Sequence, residues 1–260
     1  LPFQVRTDFI RITSDTVLSA HTVQLNVKDM TFQNKEGIQH GLVNIFGRVS
    51  SLTGRIVSTF EDVVQIDVPA EQFSQYLNHS RVYWQGLPLR PGMYRLNLVL
   101  KDIVSGNMGT HTMAIRVPRF DEETLSASSL ILADQIEKVS TKQIGKGQFV
   151  IGSTKVRPNV AERFNRTQRL GIYLQVYNLG TDEKSQKPSA TVEYALLKDE
   201  RPVFQFSENS DQIHGASQQM TLEKLLPLSS LEPGRYKLQV KVTDQINKQT
   251  ITPTASFTVQ

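Results

Sequence analysis

The chain has 260 residues, enough for two ordinary domains, and 38% of them are hydrophobic. It has no cysteine, which excludes disulfide staples, thiol catalysis and cysteine-built zinc sites. It also has no apolar run long enough to cross a membrane as a helix. The net charge of +4 is uneven: residues 138–169 carry eight cations against Glu162 alone, a local +7 that leaves the rest at −3.

Taken in order, residues 3–12 and 16–27 read as two strands, the second with Val23, Leu25 and Val27 in phase. Residues 28–40 read as a variable connection. Residues 42–49 and 54–60 flank Ser50-Ser-Leu-Thr53 as a hairpin, and 63–68 continues with Val64, Ile66 and Val68 on one face. Residues 70–78 suit one helical turn and 80–86 another strand. Then comes Leu89-Arg-Pro-Gly-Met-Tyr-Arg-Leu-Asn-Leu-Val-Leu-Lys-Asp102, followed by a loop at 105–109 and a strand at 111–117.

Residues 118–124 read as an exposed connector. Residues 125–139 suit a helix by propensity or the opening strand of a second domain, and the strand is preferred because that domain otherwise lacks one. Strands follow at 149–156 and 170–177, a hairpin at 191–197 and 202–206, and strands at 220–228 and 250–259.

The stretch at 89–102 returns as Leu231-Glu-Pro-Gly-Arg-Tyr-Lys-Leu-Gln-Val-Lys-Val-Thr-Asp244, offset by 142 residues. Pro-Gly signals a tight turn, since proline presets φ and glycine accepts positive values. Behind it, Tyr236, Leu238, Val240 and Val242 alternate with polar residues, as an antiparallel strand with one wet face requires. Pro91, Gly92 and Tyr94, and Pro233, Gly234 and Tyr236, therefore read as a tyrosine corner used twice. Asp102 and Asp244 end the two strands and are expected to bond within the following turn.

The architecture this implies is all-β: two tandem immunoglobulin- or fibronectin-III-like antiparallel sandwiches, at 1–118 and 148–260. Between them, 119–147 is a connector, with a possible first strand of the second domain at 125–137. Long amphipathic helices that could supply crossovers between parallel strands are missing from the pattern.

Several runs carry a resemblance. Leu1-Pro-Phe-Gln-Val-Arg-Thr-Asp-Phe-Ile-Arg-Ile12, Phe46-Gly-Arg-Val-Ser-Ser-Leu-Thr-Gly-Arg55, Val150-Ile-Gly-Ser-Thr-Lys-Val-Arg-Pro-Asn159 and Met220-Thr-Leu-Glu-Lys-Leu-Leu-Pro227 resemble the segment after the GWxTD domain of large acidobacterial proteins. The Pro-Gly-x-Tyr strand is also similar to the tail of acidobacterial proteins related to the von Willebrand factor A domain. The Gly-Trp-x-Thr-Asp motif itself is absent, since Trp84 sits in Tyr-Trp-Gln-Gly. The resemblance implies the C-terminal β part of a longer exported protein in an extracytoplasmic setting, and it carries over no catalytic residue.

Chemistry-bearing patterns are sparse. His21, His40, His79, His111 and His214 show no metal-ligand spacing. No nucleophile elbow, P-loop or dinucleotide fingerprint occurs. The acidic pairs Glu61-Asp62 and Asp182-Glu183 read as solvated charge rather than a glycosidase pair. No enzyme activity, cofactor or metal is expected.

The expected role is a non-catalytic interaction or spacer module that meets a protein or cell-surface partner through loops or strand edges. Candidate surfaces are Ser105 and Asn107 in one loop, and Lys142, Lys146, Arg157, Arg163 and Arg166 in the basic segment, which suits an anionic partner. Nucleic acid is not expected, because no recognition motif accompanies the charge. The alternative is a carbohydrate-binding or accessory module of an enzyme, using Trp84, Tyr83, Phe204 and Phe206. The last two share one strand face and read first as core.

Overall fold

Period-2 alternation becomes strand along most of the chain in the computed structural model, which describes residues 1–144, 147–213 and 215–260. The all-β expectation holds: sheets are antiparallel throughout, except where one two-residue strand pairs in parallel. The chain divides into two units, Leu1–Thr7 with Asp15–Arg119, and Asp8–Ser14 with Phe120–Gln260.

Strands β1 (Gln4–Arg11) to β8 (Met108–Val117) form two sheets. One has the order β1, β2 (Val17–Asn26), β6 (Ser80–Leu89). The other runs β5 (Ile56–Pro69), β4 (Ile38–Ser51), β7 (Gly92–Asp102), β8, with the short β3 (Gln33–Lys35) also on β4. The segments expected at 54–60 and 63–68 are thus one strand, β5. The expected connection at 28–40 already contains β3 and the start of β4. Val23 and Leu25 from the first sheet and Val43, Ile45, Leu96, Leu98 and Leu100 from the second are buried, as alternation predicts. The expected turn at 70–78 holds one helical turn, Phe73–Tyr76.

The second unit repeats the plan with additions. Its first sheet has the order β11 (Val150–Ile151), β12 (Thr154–Pro158), β10 (Ile131–Lys138), β14 (Arg169–Tyr177), β17 (Gln219–Pro227), with β9 (Ser126–Ala127) also on β14. Its second runs β13 (Arg163–Phe164), β20 (Thr254–Val259), β18 (Gly234–Asp244), β15 (Ala190–Lys198), β16 (Arg201–Asn209), with β19 (Gln249–Ile251) on β18. Leu132, Ile172, Leu174 and Leu222 from one sheet meet Val192, Tyr194, Leu238, Val240 and Phe257 from the other in a single core.

Residues 119–147, expected as a connector with a possible strand at 125–137, are largely built into the second unit. Leu125, Leu130 and Leu132 are buried in its core, and β10 pairs with β14. Apolar burial and ladder hydrogen bonds hold this segment where an exposed linker has neither.

Strand β14 is buried on both faces. Opposite the core side, Tyr177 Oη donates to Gln175 Oε1 at 2.8 Å and Gln175 Nε2 donates to Tyr173 Oη at 2.7 Å. The Arg11 N–H donates to Tyr177 Oη at 3.0 Å, and the Arg11 guanidinium lies 4.3 Å from that ring's centroid. Burial pushes the Tyr177 phenol up to about 12. Tyr173, Gln175 and Tyr177 thus each have a partner and avoid the roughly 1–3 kcal/mol that an orphaned buried group costs.

Candidate functional site

The doubled stretch supplies the rigid frame. Tyr94 Oη donates to the Arg90 carbonyl at 2.9 Å, and Tyr236 Oη donates to the Glu232 carbonyl at 2.8 Å. The Tyr236 ring is buried and stacks on Phe257 at 5.6 Å. Gly234 has φ 149°, which a side chain rarely tolerates. At the far end of each strand a buried aspartate clamps backbone. Asp102 accepts the N–H groups of Val104, Ser105 and Thr31, and Asp244 accepts those of Ile246, Asn247 and Gly180. Burial alone would raise the Asp102 pKa, but the N–H donors outweigh it and hold the carboxyl below its usual range.

An apolar concavity in the second unit lies beside its corner, between β16 and β17, each the outermost strand of its sheet. This groove has a volume of about 390 Å³ and is lined by Leu196, Phe204, Leu226, Leu231 and Tyr236. Phe204 is 44% exposed there, although alternation placed it in the core. On the rim, Lys198 Nζ donates to Glu232 Oε2 at 3.2 Å and sits 5.6 Å from the Tyr236 ring centroid. The bond to Glu232 raises the Lys198 pKa, so the rim cation stays charged.

Further along, a polar clasp closes the same seam. Lys224 Nζ donates to Glu208 Oε2 at 2.6 Å, and Tyr194 Oη donates to Glu208 Oε1 at 2.8 Å. Burial, with Glu208 beside it, drives the Tyr194 phenol far above its ordinary range.

Strand register identifies the matching positions in the first unit. Leu196 lies opposite Leu238 and Phe204, whereas Val49 lies opposite Leu96 and Ser58. The same register sets Ser51 where the second unit has Lys198. Phe204 and the rim cation Lys198 therefore belong to the second unit, not to the shared fold.

The first unit has a different cleft, of about 620 Å³, lined by residues including Phe32, His40, Gln65, Asp67 and Val104. His40 Nδ1 and Asp67 Oδ1 are 2.6 Å apart across the β4–β5 ladder, and Gln65 Nε2 donates to Asp67 Oδ2 at 2.7 Å. The bonds from His40 and then Gln65 lower the Asp67 pKa. Both side chains of the pair are more than a third exposed, as in an ordinary cross-strand pair. Among the described residues, no cluster of three or more His, Cys, Asp or Glu is placed to hold a metal ion.

The surfaces singled out from sequence fare unevenly. Ser105 and Asn107 serve the turn: the Ser105 N–H bonds Asp102, its Oγ accepts the Asn107 N–H, and the Asn107 carbonyl accepts the Asp102 N–H. In the basic segment, Lys138 pairs with Glu223, Lys155 with Glu137 and Arg157 with Asp134. That pairing sets three of the eight cations against carboxylates from outside residues 138–169. Arg163 is exposed on β13, Arg166 donates to the Ser229 carbonyl at 2.8 Å, and Lys142 is exposed on a 3-10 turn. Lys146 and His214 lie outside the described residues.

The candidate sugar-binding rings do not form a flat platform. Phe204 and Phe206 meet at 54°, Tyr83 is buried, and Trp84 is half-buried.

No protein-family model matches the chain, and no curated protein matches it. Among solved structures it is similar to a calcium-binding mutant of Bacteroides uniformis β-glucuronidase 2, at 11% identity and a TM-score of 0.29. That likeness covers 46% of this chain and 14% of the glucuronidase chain. It is also similar to the C-terminal domain of the Streptococcus agalactiae AgI/II polypeptide BspA, at 8% identity and a TM-score of 0.25, with 100% of each chain covered. At those scores neither likeness bears on what the chain does.

Proposed function

We propose that the chain is a non-catalytic interaction module, holding a protein or surface partner in the groove between β16 and β17. In this reading it is the C-terminal β part of a larger exported protein and works outside the cytoplasm, as the GWxTD resemblance implies. The two units are immunoglobulin- or fibronectin-like sandwiches. The support is their strand orders, β1-β2-β6 with β5-β4-β7-β8, and β10-β14-β17 with β16-β15-β18-β20. The corner tyrosine at the start of β7 and β18 adds to it.

One observation carries the reading. The second unit exposes Phe204 in an apolar groove rimmed by Lys198 and Glu232, at positions where its twin has Ser58 and Ser51. Apolar pockets with a few placed polar groups are where ligands bind.

The test presents wild-type protein and Phe204→Ser to an array of peptides and glycans. A binder kept by wild type and lost by the variant supports the groove. A binder held equally by both moves the site elsewhere, and the absence of any binder leaves a spacer.

A further inference from the structure

Strand β5 is the free edge of its sheet: it pairs with β4 on one side and, among the described residues, with no strand on the other. Natural sheets guard such edges with lysine, proline or short strands, because the unpaired backbone accepts another strand. At fourteen residues β5 is long, carries no lysine or arginine, and has no proline before Pro69 at its end. Its counterpart β16 is shorter and opens with Arg201 and Pro202. Both edges share one device, a register shift near the start of the strand, at Val57 and at Val203.

The backbone of β5 is oriented to pair. The Val63 N–H donates to the Asp62 carboxylate at 2.7 Å instead of to β4. In an antiparallel ladder alternate residues face the same side, so Thr59, Glu61, Gln65 and Asp67 also turn their backbone groups to the open edge. The exposed side chains mix apolar Ile56, Val57 and Val63 with acid, and the only charges on the strand are Glu61, Asp62 and Asp67. A second copy of β5 would bring no cation to these carboxylates, whereas a strand carrying lysine or arginine would.

We propose that β5 accepts an extended strand from a partner protein in which lysine or arginine alternates with apolar residues. The added strand completes the ladder at Glu61, Val63 and Gln65 and sets its cations against the β5 carboxylates. This site is separate from the groove in the second unit.

The test uses three short peptides: one alternating lysine and valine, one alternating glutamate and valine, and the first N-methylated at alternate amides. The lysine peptide binds and slows hydrogen exchange at Glu61, Val63 and Gln65, while the other two do not. Glu61→Lys weakens binding about tenfold, as attraction becomes repulsion. Phe204→Ser leaves it unchanged. Equal binding by the N-methylated peptide, or an affinity indifferent to Glu61→Lys, overturns the proposal. So does a peptide lost with Phe204→Ser instead. A wild-type dimer that Glu61→Lys breaks also overturns it, in favour of a second copy.

Discussion

At one equivalent position the two units pack the same edge-strand phenylalanine against different neighbours. In the first, Gly47 on β4 faces Phe60 on β5, and a Cβ on the glycine would overlap the phenylalanine ring. In the second, that place belongs to Tyr194 on β15, which stacks on its partner Phe206 at 4.3 Å and 6°. The register against β7 and β18 is the same: Leu98 lies opposite Gly47 and Val240 opposite Tyr194. Phe60 and Phe206 hold the same register position, so the first unit leaves a glycine for the ring to lie over and the second opposes it with a tyrosine. The carboxylate two residues on also finds a different partner, Tyr83 for Asp62 and Lys224 for Glu208. Strands β7 and β18, held by the corner and the aspartate clamp, repeat closely, whereas the strands beyond them, β4 with β5 and β15 with β16, vary. Binding surfaces belong on the part that varies.

The clamp gives the largest expected effect. Asp244→Ala orphans buried or half-buried N–H groups at Gly180, Ile246 and Asn247 and should cost about 4 kcal/mol in denaturant unfolding. Asp102→Ala should cost nearly as much. If only one of the two is damaging, the frames are not equivalent.

Acid should separate the units next. His21 is fully buried, bonded to Thr7 and Ser19, and burial lowers its pKa from 6.5 to about 4. Between those values the unfolded chain binds a proton that the folded one does not. The histidine's contribution is therefore complete above pH 6.5 and falls away toward pH 4, by about 3 kcal/mol. His21→Gln should flatten that slope in the first unit.

Gly47→Ala should destabilise by about 2 kcal/mol through overpacking. Adding Phe60→Ala should relieve most of that penalty in a double-mutant cycle, and additive costs would contradict the shared-slot account. Smallest of all, Tyr236→Phe should cost about 1 kcal/mol, and the half-buried Tyr94→Phe less, in thermal melts.

Sequence made the frame legible because its signals are local. Pro-Gly, a following tyrosine and period-2 alternation all lie within one strand, and they located both corners and the turn-bonding role of Asp102 and Asp244. The groove was hidden because alternation reports a side chain's face, not whether the opposite sheet reaches far enough to cover it. Phe204 and Phe206 share a face, yet only Phe204 is left exposed. The clasp was invisible for a related reason: Glu208 and Lys224 sit on edge strands of different sheets. The burial of the row Tyr173, Gln175 and Tyr177 was not legible either, because nothing nearby in sequence announces that residues 8–14 lie against it.

The central claim is that the second unit alone carries the binding groove, and titration with anilinonaphthalene sulfonate tests it most directly. The probe's apolar rings suit Phe204 and Leu226, and its sulfonate suits Lys198. Wild-type protein should bind one probe, Phe204→Ser none, and the exposed control Val63→Ser one as before. Binding that survives Phe204→Ser, or disappears with Val63→Ser, would contradict the account.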